Sequence, residues 1–527
     1  MINMYKFLTI IAALTLCLAP QHAETANILA FLPSCSPSHL IIEMAVVKAM
    51  AERQHNVTVV SVLPLKTEWM DPSMTHIKLD KGEVDMDVAI KITKLKGFEK
   101  FRKSLDMMKM MSTQLAVIFE DPKFQELLHK PGNKFDLMLF GYLFGDFFFG
   151  IAEHFDCPVA LLWPNIPISP ILNMIGNPLA LSYSVVTLLN SMNDDNMGFM
   201  FRLKNVAAVG GEMLLLSTQE RSLREVYTKN FPADKYVSYD KAKQRVAMVL
   251  YSHHFSEKPI RPLVPALIEI GGIHINDEPK ALTKDLNDFI NSAENGVIFF
   301  SMGTNIKTHH MPDNALLKIF NVLSKLPQKV VWKVDDESQV PGNSTNILYR
   351  KWLPQSDILG HPNVKLFFGH GGKGGITEAK FYGVPIVGLP IFGDQPMNMV
   401  EVVSKGYGLS IDNDKPLTEE IIYKTVREVL ENPKFTNSVK RFSLLYRDRP
   451  LKAKETAVYW LEYLIRYKGA PHMQSPLRTM SFVEVTNLDV IALILVVLYI
   501  IVKLIKLLTK IVIKLLCKLK GNKVKRD

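Results

Sequence analysis

The sequence predicts an α/β protein: two doubly wound domains facing a cleft, followed by one helix able to cross a membrane. Three observations predict it. Two separate series of short apolar strands alternate with helical stretches, a Pro- and Gly-rich junction divides them, and a long apolar run lies near the C-terminus. At 527 residues the chain has enough length for two domains, each burying its own core.

The first series opens with Asn27–Pro33, an apolar run of strand length. Small residues from Ser34 to Ser38 turn the chain into a stretch from Leu40 with helical length and spacing, and Asn56–Ser61 is again β-branched. Strand, turn, helix and strand in this order make one βαβ unit of a parallel sheet. Phe135–Phe144 and Val159–Trp163 read as later strands of that sheet. From Trp163 to about Leu189 the chain is oily and Pro-punctuated, which fits a lid over a lipophilic pocket, a membrane-touching patch or a plain core segment. The junction lies between about Tyr251 and Pro279, placing the domains at residues 24–270 and 271–465. The second series has strands at Gly296–Ser301, Val330–Val334, Val364–Phe368 and Pro385–Leu389, with helical stretches between them.

The two ends read as targeting and anchoring segments. Lys6, the apolar stretch Phe7–Leu18 and the small residues Ala19 and Ala23 describe a signal peptide over residues 1–23, against the alternative of a buried N-terminal helix. After a juxtamembrane segment at 466–487, residues 488–508 have the length of a bilayer span, with Lys503 and Lys506 snorkelling. An amphipathic helix lying on the membrane is the alternative. Lysines continue through the tail at 509–527, which places that end in the cytoplasm and the body in the lumen. Lys523 and Lys525 match a dilysine pattern for retrieval to the endoplasmic reticulum, a pattern that a basic stop-transfer flank also produces.

The net charge of +10 does not indicate nucleic acid. Nine Lys or Arg and one Asp from Lys503 onward supply +8, leaving about +2 for the rest, which is no basic footprint. Of four cysteines, Cys17 and Cys517 fall in the end segments, so Cys35 and Cys157 permit one lumenal disulfide without requiring it. No metal-ligand spacing exists. Of the two glycosylation sequons, Asn56 sits in a strand taken as buried, and Asn343 follows a Pro-Gly turn and is the better candidate.

The chemistry concentrates after Trp352. Trp352-Leu-Pro-Gln355 is followed by a strand running into His370, a glycine cluster that includes Gly371 and Gly372, and a helix carrying Glu378; Asp394-Gln395 follows the next strand. Glycines let a diphosphate approach the backbone, and free amides at a helix N-terminus favour an anion. The spacing is neither the Walker nor the dinucleotide type. Glu378 can accept from ribose hydroxyls, and Asp394 with Gln395 suits sugar hydroxyls. A Gly-rich strand-to-helix turn alone is usually structural; the whole order is specific.

This stretch resembles the signature of UDP-glycosyltransferases, and most closely the membrane-bound UDP-glucuronosyltransferase family of animals. The resemblance extends over nearly the whole chain. It implies a GT-B fold, with the acceptor held by the first domain and the UDP-sugar by the second. It implies that Trp352 stacks on uracil and Gln355 bonds its edge. Ser301, Thr304, His370, Gly371 and Gly372 would hold the diphosphate, Glu378 the ribose, and Asp394 with Gln395 the transferred sugar. His39 would be the base, a role suited to an imidazole with a pKa near 6.5; a lone His at a helix start is otherwise a cap or surface residue. A carboxylate should orient it. At the position where vertebrate members carry that Asp, this chain has Gly141, and Asp146 matches an acidic position of invertebrate-type members. Gly369 replaces the usual Ser or Thr, and Lys373-Gly374 lies where Asn is common; Lys373 either supports the diphosphate or is solvated.

The expected activity is therefore an inverting, metal-independent transfer of glucuronic acid or glucose from UDP to a small lipophilic acceptor. No cofactor beyond the UDP-sugar co-substrate is expected, and microsomal relatives suggest homo- or hetero-oligomers. The alternatives are a UDP-sugar-binding pseudoenzyme acting as a regulatory subunit, motivated by Gly141, and a secreted lectin-like binder, which the anchor undercuts.

Overall fold

The computed structural model describes residues 25–34, 36–82, 95, 97–184, 197–257, 260–304, 306, 310–312, 314–412 and 415–523. The expected signal peptide, Cys35 and the last tail residues lie outside them.

Residues 25–474 contain two parallel sheets. The first has strands β1 (Asn27–Leu32), β2 (Asn56–Ser61), β3 (Met74–Lys78), β4 (Leu137–Gly141), β5 (Val159–Trp163), β6 (Val246–Tyr251) and β7 (Leu267–Glu269). Their order is β3-β2-β1-β4-β5-β6-β7. The second has β8 (Val297–Ser301), β9 (Lys329–Lys333), β10 (Ile347–Arg350), β11 (Val364–Gly369), β12 (Ile386–Gly388) and β13 (Gly408–Ser410), in the order β10-β9-β8-β11-β12-β13. Both sheets are buried on both faces. Leu29 and Phe31 enter one core layer while Ile28, Ala30 and Leu32 enter the other. In the same way Val297 and Phe299 oppose Ile298 and Phe300. This period-two division explains the continuous apolar runs of the sequence.

The strand order reverses between β1 and β4 in the first sheet and between β8 and β11 in the second. Such switch points open a crevice beyond the carboxyl ends of the strands. The helix Pro37–Ala51 leaves β1 at the first, and the helix Lys373–Tyr382 leaves β11 at the second.

The structure selects among the open readings at one place and changes the sequence reading at two others. The stretch after Trp163 is partly core: the short helix Ser169–Met174 places Ile171 and Leu172 in the first domain's interior. Asn56, taken as buried, lies at the exposed start of β2, where its amide donates to Asn27 Oδ1 at 3.1 Å. The helix Ala453–Arg466, counted with the second domain, packs on the first: Ala453, Ala457, Leu461 and Leu464 share a core layer with Ile28 and Val47. Its Glu462 accepts from Arg53 Nε at 3.0 Å. Cys157 is buried and free, its thiol pushed up to about 12 by burial.

Residues 475–527 form a separate unit. Ser481 and Glu484 make a capping box at the helix Phe482–Thr486, and Asn487, at φ 52°, ends it. The helix Leu488–Lys523 follows, and the most apolar eighteen-residue stretch of its segment Leu488–Lys518 has a mean hydropathy of 2.9. Thirty-six residues give about 54 Å of helix, longer than a hydrocarbon core of about 30 Å. One apolar C-terminal helix is thus long enough for a single-pass anchor.

Candidate functional site

The second sheet's switch point carries most of the expected donor residues. β11 ends at Gly369, and His370 follows, with its ring lying against Gly303 and Gly372. A Cβ on Gly303 would stand 2.5 Å from His370 Cε1, so glycine there is what leaves the ring its place. Gly371 adopts φ +79°, a left-handed conformation that favours glycine, and turns the chain into the Lys373–Tyr382 helix with Gly372 as its N-cap. The free amides of that first turn point to where an anion would bind. Burial pushes His370 down to about 4, against the opposing charge of Asp394 and a hydrogen bond to the Ser301 backbone. The ring is therefore a neutral hydrogen-bonding group at physiological pH. Ser301 ends β8, and its hydroxyl accepts from Gly303 N at 3.3 Å; Thr304 follows in the same turn.

Trp352 follows β10 with about half its surface exposed, and Lys66 of the first domain lies over its ring. A pocket of about 690 Å³ beside it is lined by Lys66, Glu68, Lys333, Asp335, Lys351 and Trp352, among others. Gln355, at the start of the next helix, donates its amide to Glu378. Burial pushes the Glu378 carboxyl up to about 7, the Gln355 bond opposing. His274 Nε2 stands 3.8 Å from its other oxygen. Trp352, Gln355 and Glu378 thus form one side of the crevice.

Asp394 and Gln395 sit at the start of the helix Gln395–Ser404. The Gln395 carbonyl accepts from Ile391 N at 2.8 Å and Phe392 N at 3.0 Å, so a sugar hydroxyl would meet its NH2 group. Asp394 is exposed and accepts from Asn398 at 2.7 Å and from Asn165 of the first domain at 3.0 Å.

His39 stands in the first turn of the Pro37–Ala51 helix, at the first sheet's switch point. Burial lowers its pKa from the ordinary value, and the charge of Asp394 opposes that. The positive end of the helix dipole acts with burial. His39 and Asp394 are therefore close enough across the cleft for the charge of one to act on the other.

Asp146 has another setting. Its carboxylate accepts from Tyr142 OH at 2.9 Å and from Tyr239 OH at 3.5 Å, and burial raises its pKa with Lys243 opposing. His39 is not among its hydrogen-bond partners, so the structure brings Asp146 to the tyrosines. Three residues went unremarked in the sequence. Asn165 ties the domains, Glu257 pairs in the interior with Lys373 and Lys380, and Glu43 is buried one turn beyond His39. An i, i+4 relation to His39 was the available signal for Glu43. The other two pairings span more than a hundred residues.

Two Rossmann-type domains facing a cleft, with His39 at the first switch point and a glycine-rich helix start at the second, are the arrangement of a GT-B glycosyltransferase. The comparisons agree. The family model described as "UDP-glucoronosyl and UDP-glucosyl transferase" matches residues 31–524. UDP-glycosyltransferase UGT5 of Dactylopius coccus is 33% identical over 94% of this chain and 94% of its own length. UDP-glucuronosyltransferase 1A1 of Rattus norvegicus is 26% identical over 94% and 93%. Among solved structures, the glycosyltransferase VinC in complex with DTDP superposes with a TM-score of 0.56 at 16% identity, over 84% of this chain and 99% of its own, which shows the shared GT-B fold. The chain belongs to the UDP-glycosyltransferase family and takes a UDP-sugar as donor.

Proposed function

We propose that the chain transfers glucuronic acid or glucose from UDP to the hydroxyl of a small lipophilic acceptor, with inversion at the anomeric carbon. The observation that carries this reading is His39, neutral, close enough across the cleft for the charge of Asp394 to act on it. His39 takes the acceptor's proton as its oxygen bonds to the anomeric carbon. The bond from that carbon to the diphosphate oxygen breaks, and its electron pair leaves on UDP. His370, Ser301, Thr304 and the amides of Gly371 and Gly372 take up the growing charge, an electrostatic contribution made by groups already in place. Trp352 and Gln355 hold uracil, Glu378 the ribose, and Asp394 with Gln395 the sugar.

The lipophilic acceptor is supported by the aromatic wall beyond β4 and β5. Phe144 packs at 5.7 Å from the Tyr142 ring and 6.2 Å from Trp163, and is itself only half-buried. The membrane setting follows the same chemistry: an anchored body in the lumen of the endoplasmic reticulum meets acceptors that partition into the bilayer. The relatives are named as transferases, and nothing supports a non-catalytic partner subunit.

The test is UDP release by membranes containing the full chain, with UDP-glucuronic acid and UDP-glucose over a panel of phenols and alcohols. Release that requires an acceptor and is lost in His39→Ala is the expected result. Acceptor-independent release, or full activity in His39→Ala, would sink it.

A further inference from the structure

The carboxyl group of Glu43 lies where β4 ends, packed on Gly141. A Cβ added at Gly141 would stand 2.8 Å from Glu43 Oε1 and 2.9 Å from Oε2. The glycine at the position expected to hold a carboxylate is therefore the space that this carboxyl fills. Glu43 is buried, and both of its oxygens lack a hydrogen-bond partner. A buried acidic group in that condition is costly, and in a folded protein it calls for a functional account. It sits four residues after His39 on the same helix, so the two side chains share one face with Cβ atoms about 5–6 Å apart. Side chains in a helix lean toward its N-terminus, which tilts Glu43 toward the turn that carries His39.

We propose that Glu43 is the positioning residue for His39: its carboxyl, unpartnered at rest in this structure, turns toward the His39 ring once ionised, accepts one ring N–H and leaves the other nitrogen to take the acceptor's proton. The inference rests on the proposed role of His39. Asp146, with its oxygens given to Tyr142 and Tyr239, is left to order the loop after β4. When His39 takes the acceptor's proton the imidazolium faces a carboxylate, and the proton afterwards leaves to solvent. Burial pushes Glu43 up to about 8, so the ionised form this role needs is favoured as pH rises toward that value.

Among the described residues, the elements packed against the pair keep their charged groups paired elsewhere, and Asp394 is the charge that acts on His39. β1, β4 and β5 present apolar side chains. On the packed Ala453–Arg466 helix, Lys454 and Glu462 pair with Glu52, Arg53 and His55 at the far end of the Pro37–Ala51 helix. Lys66 and Glu68 of the segment after β2 pair with each other.

The experiment compares His39→Ala, Glu43→Gln, Asp146→Asn and the swap Glu43→Ala with Gly141→Asp, all in the full-length membrane protein. Glu43→Gln is expected to lower kcat by about 10²–10⁴-fold, to leave the donor KM within about twofold and to change the pH profile of kcat. The swap supplies a carboxylate from β4 and is expected to recover at least about tenfold in kcat over Glu43→Ala alone, a rescue that a purely structural role would not give. Wild-type kcat and pH profile in Glu43→Gln, with His39→Ala inactive, would overturn the inference and leave the role of His39 standing. Loss in Asp146→Asn but not in Glu43→Gln would hand the position to Asp146. Full activity in His39→Ala would bring down both readings.

Discussion

Asn165 of the first domain donates its amide to Asp394 of the second across 3.0 Å, on the same carboxylate oxygen that receives Asn398. One exposed acid thus joins the domains, holds the Asn398 side chain of its own helix and opposes the effect of burial on the pKa of both His39 and His370.

Asp394→Asn removes that charge from the cleft. Without it, burial acts unopposed on His39 and its pKa falls further. The acidic limb of the kcat/KM profile is expected to move to lower pH, with kcat reduced through the lost sugar contact. Asn165→Ala keeps the charge, so it should raise the donor KM without moving that limb. Steady-state kinetics over pH 5–9 checks both; a limb moved equally by the two variants would contradict the assignment.

Glu378 titrates near neutrality because burial pushes its carboxyl up to about 7. Ribose hydroxyls donate to the ionised form, so the donor KM should fall as pH rises through about 7. Glu378→Gln should flatten that dependence and bind the donor more weakly at pH 8. Titration of UDP binding against pH in the two proteins is the measurement.

Glu257 is buried between two ammonium groups. Lys373 Nζ stands 3.0 Å from its Oε1, Lys380 contacts the same oxygen, and Lys380 also reaches Glu401 at 3.1 Å. Burial alone would push the Glu257 carboxyl up, but Lys373 and Lys380 hold it well below the usual carboxylate range. Its contribution to stability is therefore present above the unfolded value near 4.5 and lost only in strong acid. Glu257→Ala leaves buried cations unpaired and is expected to cost about 3–5 kcal/mol, read as a drop in Tm at pH 7. Lys373, expected either to support a diphosphate or to be solvated, is thereby committed in this structure to the domain junction.

Glu43 acts on stability in the opposite sense. Its folded pKa of about 8 lies above the unfolded 4.5, so the protonated form is favoured by folding. That contribution is complete below about pH 4.5 and lost as pH rises through 8, where the ionised group must be buried. Glu43→Gln should match the wild type in Tm near pH 5 and exceed it at pH 9. Equal melting at both pH values would show that Glu43 is solvated in solution.

A chain ended after residue 487 loses the helix Leu488–Lys523 and should pass from the membrane pellet to the supernatant after an alkaline wash. Before that wash it should still bind vesicles weakly, because the helix Phe199–Asn230 exposes Phe199, Met200, Leu203 and Leu214. Retention in the pellet after washing would assign the anchoring to the body.

Much of the fold was legible because it depends on local pattern. The apolar runs at Asn27–Leu32, Asn56–Ser61 and Val364–Gly369 became strands buried on both faces. The left-handed turn at Gly371 and the helix after it follow from residues adjacent in sequence. Short or late strands such as β3, β7, β10 and β13 escaped, since three to five residues carry little period and their pairing is supplied by neighbours.

The sequence by itself determined the strand series, the donor motif and the membrane-length helix, because each is written in consecutive residues. Tertiary structure decided the partners. It returned the helix Ala453–Arg466 to the first domain, bound Asp146 to Tyr142 and Tyr239, and set Lys380 against Glu257 more than a hundred residues away. It also laid Glu43 on Gly141. Hydrogen bonds and buried charges act over a few ångströms in space, and which groups come that close is fixed only when the sheets have formed and their helices have packed.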